Sequence, residues 1–284
     1  MLKIKILKIK RKIEIAVISD VHLGTHACRA KYLLNYLNSI APKKLILNGD
    51  IIDAWKFSEK HFPKSHLKII KKIIDMSANG VEIIYITGNH DETLRKFSDT
   101  TIGNVSIVDK MALELDGKRA WFLHGDVFDI STKSGKWLAQ LGGYGYRLLA
   151  LLNRLLNWFL EKRGKERYSL SKKIKKGATK YIDNYESIIS DLAIENGYNY
   201  VICGHIHKPK IEYKENKYGK TMYLNSGDWV ENFTALEYQF KRWKLYHYNN
   251  DKLSPFFVDE DLKELDMKDL IAAITIVNKH EKNN

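Results

Sequence analysis

The residues best equipped for chemistry in this chain are aspartates and histidines set beside glycine. They occur as Asp20-Val21-His22, Gly49-Asp50, Gly88-Asn89-His90-Asp91, His124-Gly125-Asp126 and Gly204-His205-Ile206-His207. Carboxylate, imidazole and amide groups together suit borderline first-row cations such as manganese, iron or zinc better than a thiolate set does. Neither Cys28 nor Cys203 falls in these segments. Taken singly, a Gly-Asp pair or a lone histidine on an apolar flank is more often a turn or a structural residue than a ligand. Recurrence of the pattern in one structural context makes coincidence a poor account.

That context comes from the segments in front of each motif. Ile13 to Ser19 reads as a short, nearly continuous apolar strand, Lys31 to Ile40 as a helix, and Lys44 to Leu47 as a second strand. Leu67 to Met76 reads as a helix stopped by Asn79-Gly80, and Val81 to Ile86 as a strand running into Gly88-Asn89-His90-Asp91. Alternating strands and helices predict an α/β architecture, in which ligands gather at the carboxyl ends of the strands. Ser106 to Phe122 then reads as short strands about an Asp116-Gly117 turn, the last ending at His124. A largely helical stretch from about Thr132 to Ala193 precedes a strand at Tyr200 to Cys203 and further strands to about Tyr248. With no repeat and no low-complexity linker, residues 1–258 read as one domain carrying a helical insertion at about 132–195. Residues 259–284 read as a peripheral helical tail.

Composition narrows the setting. The 284 residues are 44% hydrophobic, enough for a sizeable core, and two cysteines are too few for a disulfide framework. Leu2 to Ile9 alternates apolar residues with lysine and does not form the uninterrupted apolar stretch of a signal peptide, so a reducing, cytoplasmic setting is expected. A net charge of +13 calls for an anionic partner: nucleic acid, an anionic membrane surface or a phosphorylated substrate. The insertion carries an apolar run from Trp137 to Phe159, interrupted by Arg147 and Arg154, then a basic run from Lys162 to Lys176. It is too short and broken to span a bilayer, which needs about 20 apolar residues. It suits the membrane interface on the inner face of the cell membrane, where each basic side chain adds about 1 kcal/mol. The plainer reading is a hairpin packed on its own core.

In their order, the five motif segments resemble the signature of the calcineurin-like metallophosphoesterases, and the resemblance covers residues 20 to 207. It implies a four-layer αββα sandwich and two divalent metal ions. Asp20, His22, Asp50 and His207 are implied as ligands of one ion, and Asp50, Asn89, His124 and His205 as ligands of the other, with Asp50 shared. Two cations held at roughly 3.5–4 Å direct a metal-bound hydroxide at phosphorus for in-line displacement. His90, next to Asn89, is expected to face the substrate and to stabilise phosphoryl charge or protonate the leaving oxygen, with Asp91 orienting it. Asp53, Asp126 and Asp228 either hold ligand imidazoles in the needed tautomer or are ordinary turn and cap aspartates.

Within the superfamily the chain most resembles the UDP-2,3-diacylglucosamine pyrophosphohydrolases of lipid A synthesis, through Gly49-Asp50-Ile51-Ile52-Asp53-Ala54-Trp55 and the insertion after His124. That implies cleavage of a nucleotide-lipid pyrophosphate at a membrane surface. The group carries arginine after the metal-binding asparagine, where this chain has His90, the commoner superfamily residue. A nuclease or cyclic-nucleotide phosphodiesterase is the alternative on the same core. The aromatic residues of the insertion, however, cluster with leucines and do not interleave with the basic run as a stacking platform requires. A phosphoprotein phosphatase fits less well, since Ala54-Trp55 stands where those enzymes have Arg-Gly. A metal-free scaffold is opposed by retention of all seven ligand positions together with His90.

Overall fold

The computed structural model describes residues 10–54, 62–131 and 170–251. Trp55, the run from Trp137 to Arg167 and the tail at 259–284 lie outside the described residues. The first half is built on three parallel strands. β1 (Arg11–Ile18) leads through α1 (Ala30–Ser39) to β2 (Ile40–Asn48), and α2 (Lys64–Ala78) leads to β3 (Glu82–Ile86). β2 starts earlier than its apolar pattern suggests, because Pro42, Lys43 and Lys44 dilute that pattern while pairing with β1 already begins at Arg11↔Ile40. A short hairpin follows, β4 (Thr100–Ile102) and β5 (Val105–Val108), of which the first strand is all exposed and carries no apolar alternation to announce it.

β6 (Lys110–Leu115) and β7 (Lys118–Leu123) open a second sheet around the Asp116-Gly117 turn. It is continued by α3 (Leu170–Glu195), β8 (Tyr200–Cys203), β9 (Lys210–Asn216) and β10 (Gly219–Asn225). The chain then returns to the first sheet as β11 (Thr234–Gln239) and β12 (Arg242–His247). The seven-stranded sheet runs β12-β11-β1-β2-β3-β5-β4, and the five-stranded sheet runs β6-β7-β8-β10-β9.

Alternate side chains of the central strands feed different layers. Ile15, Val17, Ile46, Ile84 and Ile86 meet Ala120, Phe122, Tyr200, Ile202 and Leu224 between the two sheets. The opposite faces of β1, β2 and β3 present Ile18, Leu45, Leu47 and Ile83 to Leu33, Leu37 and Ile69 of α1 and α2. On the far side, Leu123, Val201, Cys203 and Tyr223 pack on Tyr185, Ile189 and Ala193 of α3. Strands buried on both faces account for the nearly continuous apolar runs in the sequence. Each fully buried large side chain stabilises the sandwich by roughly 1.5–3 kcal/mol relative to leaving it in water. The layers are helix, sheet, sheet, helix, the expected αββα order, and the parallel strands of both sheets end at one rim.

Candidate metal centre

All five motif segments lie at that rim. The first three follow β1, β2 and β3 of the larger sheet, and the other two follow β7 and β8 of the smaller. Backbone bonds lock the first two loops together: Asp20 N–H donates to Gly49 O at 3.1 Å, and the N–H groups of Val21 and His22 both donate to Asp50 O at 3.0 Å. Asp20, His22, Asp50, His205 and His207 all have left-handed backbones, with φ between 51° and 67°. Such conformations cost non-glycine residues about 1 kcal/mol or more and gather at functional sites.

The neighbouring glycines leave room for these side chains. A Cβ on Gly49 would lie 2.3 Å from His124 Cγ, one on Gly88 2.3 Å from Asp50 Oδ1, and one on Gly204 2.6 Å from Asp20 Oδ2.

Two compact donor clusters result, Asp20 with His22 and His207, and Asp50 with His124 and His205, each with its donor atoms within 4.8 Å of one another. His207 Nε2 is 3.1 Å from Asp20 Oδ1 and 3.4 Å from His22 Nε2, and His124 Nε2 is 3.4 Å from Asp50 Oδ2. Further contacts bind the clusters to each other and to the fold. His205 N–H donates to Asp20 Oδ2 at 3.0 Å, and His90 N–H to Asp50 Oδ1 at 2.8 Å. His124 Nδ1 lies 2.9 Å from the carbonyl of Asn48, which directs Nε2 to the acids. Asn89, between Gly88 and His90, has a buried Oδ1 that finds no hydrogen bond among the described residues, and the same holds for His124 Nε2. A polar atom buried without a partner, as Asn89 Oδ1 is, costs about 1–3 kcal/mol, a cost that a bound cation offsets, while His124 Nε2 has the Asp50 carboxylate at 3.4 Å. The donor set and these two atoms fit divalent metal.

A third grouping joins His22, Asp53 and His90. His90 Nδ1 stands 3.2 Å from Asp53 Oδ2, and His90 Nε2 stands 3.9 Å from Asp50 Oδ2. Asp53, not Asp91, is thus the carboxylate on the His90 ring. Asp91 is engaged elsewhere: its Oδ1 accepts from Gly88 N–H at 2.6 Å, and its Oδ2 accepts from Ile51 N–H at 2.8 Å and Tyr85 O–H at 2.5 Å. It braces the loops after β2 and β3 from beneath.

Asp126 pairs with Arg95 at 2.6 Å and not with a ligand imidazole. Asp228 Oδ1 caps the N–H groups of Val230 and Glu231, at 2.8 and 2.5 Å, while its Oδ2 is 4.0 Å from His207 Nδ1. The sequence carries no signal for His66, a buried helix residue whose Nδ1 accepts from Gly24 N–H at 2.9 Å. The same is true of Asn232, whose Nδ2 donates to the carbonyl of His207 at 2.9 Å.

Electrostatics follow the geometry. Burial opposes ionisation of Asp50, yet His124, His22 and His90 hold its carboxyl below the usual range. Burial likewise opposes ionisation of Asp20, and His207 and His124 outweigh it. Burial would lower His207, but the adjoining Asp20 and then Asp228 push it up to about 9. His124 is raised well above its ordinary value, burial again being overcome by Asp50. Asp91 moves the other way, raised by burial and by Asp50 against the hydrogen bonds it receives. His66 falls to about 4 through burial and nearby His26, which keeps it neutral as an acceptor. The acids and imidazoles therefore compensate one another with protons that a divalent cation must displace.

A UDP-2,3-diacylglucosamine hydrolase of Aliivibrio fischeri (strain MJ11) is 25% identical over 239 residues, which is 82% of this chain and 97% of that protein. A UDP-2,3-diacylglucosamine hydrolase of Aeromonas salmonicida (strain A449) is 26% identical over 226 residues, 77% of this chain and 87% of the other. Among solved structures, a novel archaeal phosphodiesterase aligns with a TM-score of 0.39 at 15% identity, covering 82% of this chain and 98% of its own. Residues 13–209 match the family model of the calcineurin-like phosphoesterases, a span that takes in all five donor-bearing segments. The chain belongs to the calcineurin-like phosphoesterase family and is a metal-dependent hydrolase of phosphoester or pyrophosphate bonds.

Proposed function

We propose that the protein is a dinuclear pyrophosphohydrolase of a nucleotide-linked lipid such as UDP-2,3-diacylglucosamine, with manganese as the favoured metal. The observation that carries the two-metal part is the pair of donor clusters, Asp20/His22/His207 and Asp50/His124/His205, drawn from both sheets to one rim. The substrate part rests on the named hydrolases that align with most of the chain. In this reading Asp20, His22, Asp50 and His207 hold one ion, and Asp50, Asn89, His124 and His205 the other. Two bound cations supply charge neutralisation at the phosphoryl oxygens and activation of the attacking water.

The chain's own groups do the remaining work. Asp53 holds His90 by Nδ1 at 3.2 Å and leaves Nε2 on the side of Asp50. A proton on that Nε2 then stabilises a phosphoryl oxygen or passes to the leaving oxygen. Asp91 keeps the spacing between the Asp50 and Asn89 loops through its bonds to Ile51 and Gly88.

Within a single domain of residues 1–258, the apolar and basic runs of the insertion at about 132–195 supply the lid, while Tyr185, Ile189 and Ala193 near its end belong to the sandwich itself. Those runs have the composition for a lipid substrate at an anionic membrane surface. No helix among the described residues is long and apolar enough to cross a membrane. The test is hydrolysis of UDP-2,3-diacylglucosamine by manganese-loaded protein, with UMP as the expected product of pyrophosphate cleavage. Turnover of cyclic nucleotides or single-stranded DNA with no UMP release replaces the lipid reading with a phosphodiesterase.

A further inference from the structure

The two sheets each contribute part of the proposed centre, so something must hold their rims in register. On the Asp20/His207 side several cross-sheet ties do this. Ser19 Oγ is 2.7 Å from Ser226 Oγ, and Trp229 N–H donates to Asp20 O at 3.1 Å.

On the Asn89/His124 side the most prominent charged tie is Arg95. It lies on the 3-10 turn Glu92–Phe97, directly after the Asn89 loop of the larger sheet. Its Nη2 reaches Asp126 Oδ2 at 2.6 Å, two residues beyond His124 in the smaller sheet. Its Nε is 3.0 Å from Asp109 Oδ1, in the short link where the chain passes from β5 of one sheet to β6 of the other. Asp109 is held in turn by the hydroxyl of buried Thr87, which donates to the same Oδ1 at 3.0 Å, one residue before Gly88. The Arg95 and Asp126 side chains are 32% and 11% exposed, so this arm of the clamp is sheltered from solvent screening more than a surface pair.

We infer that Arg95 is a positioning residue that sets the separation of Asn89 and His124, and so tunes one of the two metal sites and not the other. The inference rests on the two-metal reading above. Arg95 touches none of the proposed ligands. Its guanidinium joins the strand ends that carry two of them, hydrogen-bonded to Asp126 through Nη2 and in ion-pair range of Asp109 through Nε, and a planar fork keeps two carboxylates at a defined spacing where the single ammonium of a lysine does not.

The experiment is manganese titration by calorimetry, with the electron paramagnetic resonance signal of an exchange-coupled manganese pair as a second readout. It compares wild type, Arg95→Met, Asp126→Asn and the double variant. Expected is two ions in wild type and, in either single variant, one site unchanged and the other weakened about five- to tenfold, the scale of coupling between residues in direct contact. The coupled signal appears only at correspondingly higher manganese. The double variant shows no loss beyond that of Arg95→Met, because that change already removes the tie to Asp126. Arg95→Lys recovers little of the affinity. Equal affinities at both sites in every variant, or equal weakening of both, overturns the clamp. A raised KM with unaltered metal binding also overturns it, making Arg95 a substrate contact. Wild type taking up only one ion defeats the two-metal reading instead, and so separates the two failures.

Discussion

Both rims of the sandwich hold residues with left-handed backbones, but they hold them for different reasons. At the rim away from the motifs they form two-residue hairpin turns: Asp116 and Gly117 at φ 50° and 76° between β6 and β7, and Phe240 and Lys241 at φ 52° and 59° between β11 and β12. Turns of this kind match the twist of the strands they join, and the twist demands two positive φ values. The two turns also meet, with Tyr238 O–H donating to Asp116 at 2.6 Å and Lys241 Nζ 3.8 Å from the same carboxylate.

At the motif rim, Asp20, His22, Asp50, His205 and His207 follow parallel strands, where no hairpin calls for a left-handed residue. Asp20 and Asp50 are fully or almost fully buried, whereas Phe240 is 76% exposed. Strain at one rim serves chain reversal, and strain at the other serves the aiming of donors. The aspartate and histidine cluster must be stabilised by the packed layers beneath it.

The largest loss is expected at Asp50, on the motif rim. Asp50→Ala removes the carboxylate facing His124 and His90; turnover of any phosphoester is expected to fall by more than about 10³-fold, on the scale of losing metal-assisted catalysis. Bound manganese, measured by elemental analysis, should fall with it, and near-normal turnover would refute the assigned role. Next comes a matched pair of glycine substitutions. In Gly49→Ala the new Cβ falls 2.3 Å from His124 Cγ at a φ of +81°, and a loss of about 10²-fold in activity with weaker manganese binding is expected. In Gly117→Ala no atom lies within 4 Å at a φ of +76°, so only about 1 kcal/mol of stability should be lost, with activity retained. Similar outcomes for the two would erase the distinction between rims.

Acid provides a graded test. His207 is held up to about 9 by Asp20 despite burial, and a protonated imidazole cannot bind metal. Manganese affinity should therefore rise with pH toward about 9 and release protons on binding, which calorimetry in buffers of different ionisation heat detects. For metal-free protein the sign is opposite. The raised pKa stabilises the fold fully below the unfolded value near 6.5, and that contribution is lost as pH rises through about 9. The Tm of metal-free protein should fall over that window while that of manganese-loaded protein holds. The smallest effect belongs to the remote turn: Phe240→Asn with Lys241→Gly relieves two left-handed residues and should add about 1 kcal/mol of stability without altering activity.

Much of the centre is legible in the amino-acid sequence, because its donors come in short runs with glycine at the ends of apolar strands. The α/β class is legible for the same reason: strands buried on both faces leave continuous apolar runs, and α1 and α2 leave periodic ones, whereas the four-layer αββα order is implied only by the family resemblance. Strand limits are less clear. Pro42 and two lysines hide the start of β2, whose partner β1 extends it, and exposed β4 has no apolar pattern. The partner of His90 is hidden as well. Asp91 adjoins it in sequence, but the chain turns that carboxylate under the loops toward Tyr85, and Asp53 from the neighbouring strand end takes its place. Arg95 and His66 give no signal, since a single polar side chain bonded across the fold leaves no periodicity.

From the sequence alone come the types of donor, their order along the chain and the strands that run into them, because hydrophobic alternation and glycine placement are local properties written residue by residue. Tertiary structure alone decides which carboxylate meets which imidazole, and that Arg95 spans the two sheets at the rim. Those pairings depend on distances of a few ångströms between strand ends brought together from opposite sheets, and no local pattern encodes such distances.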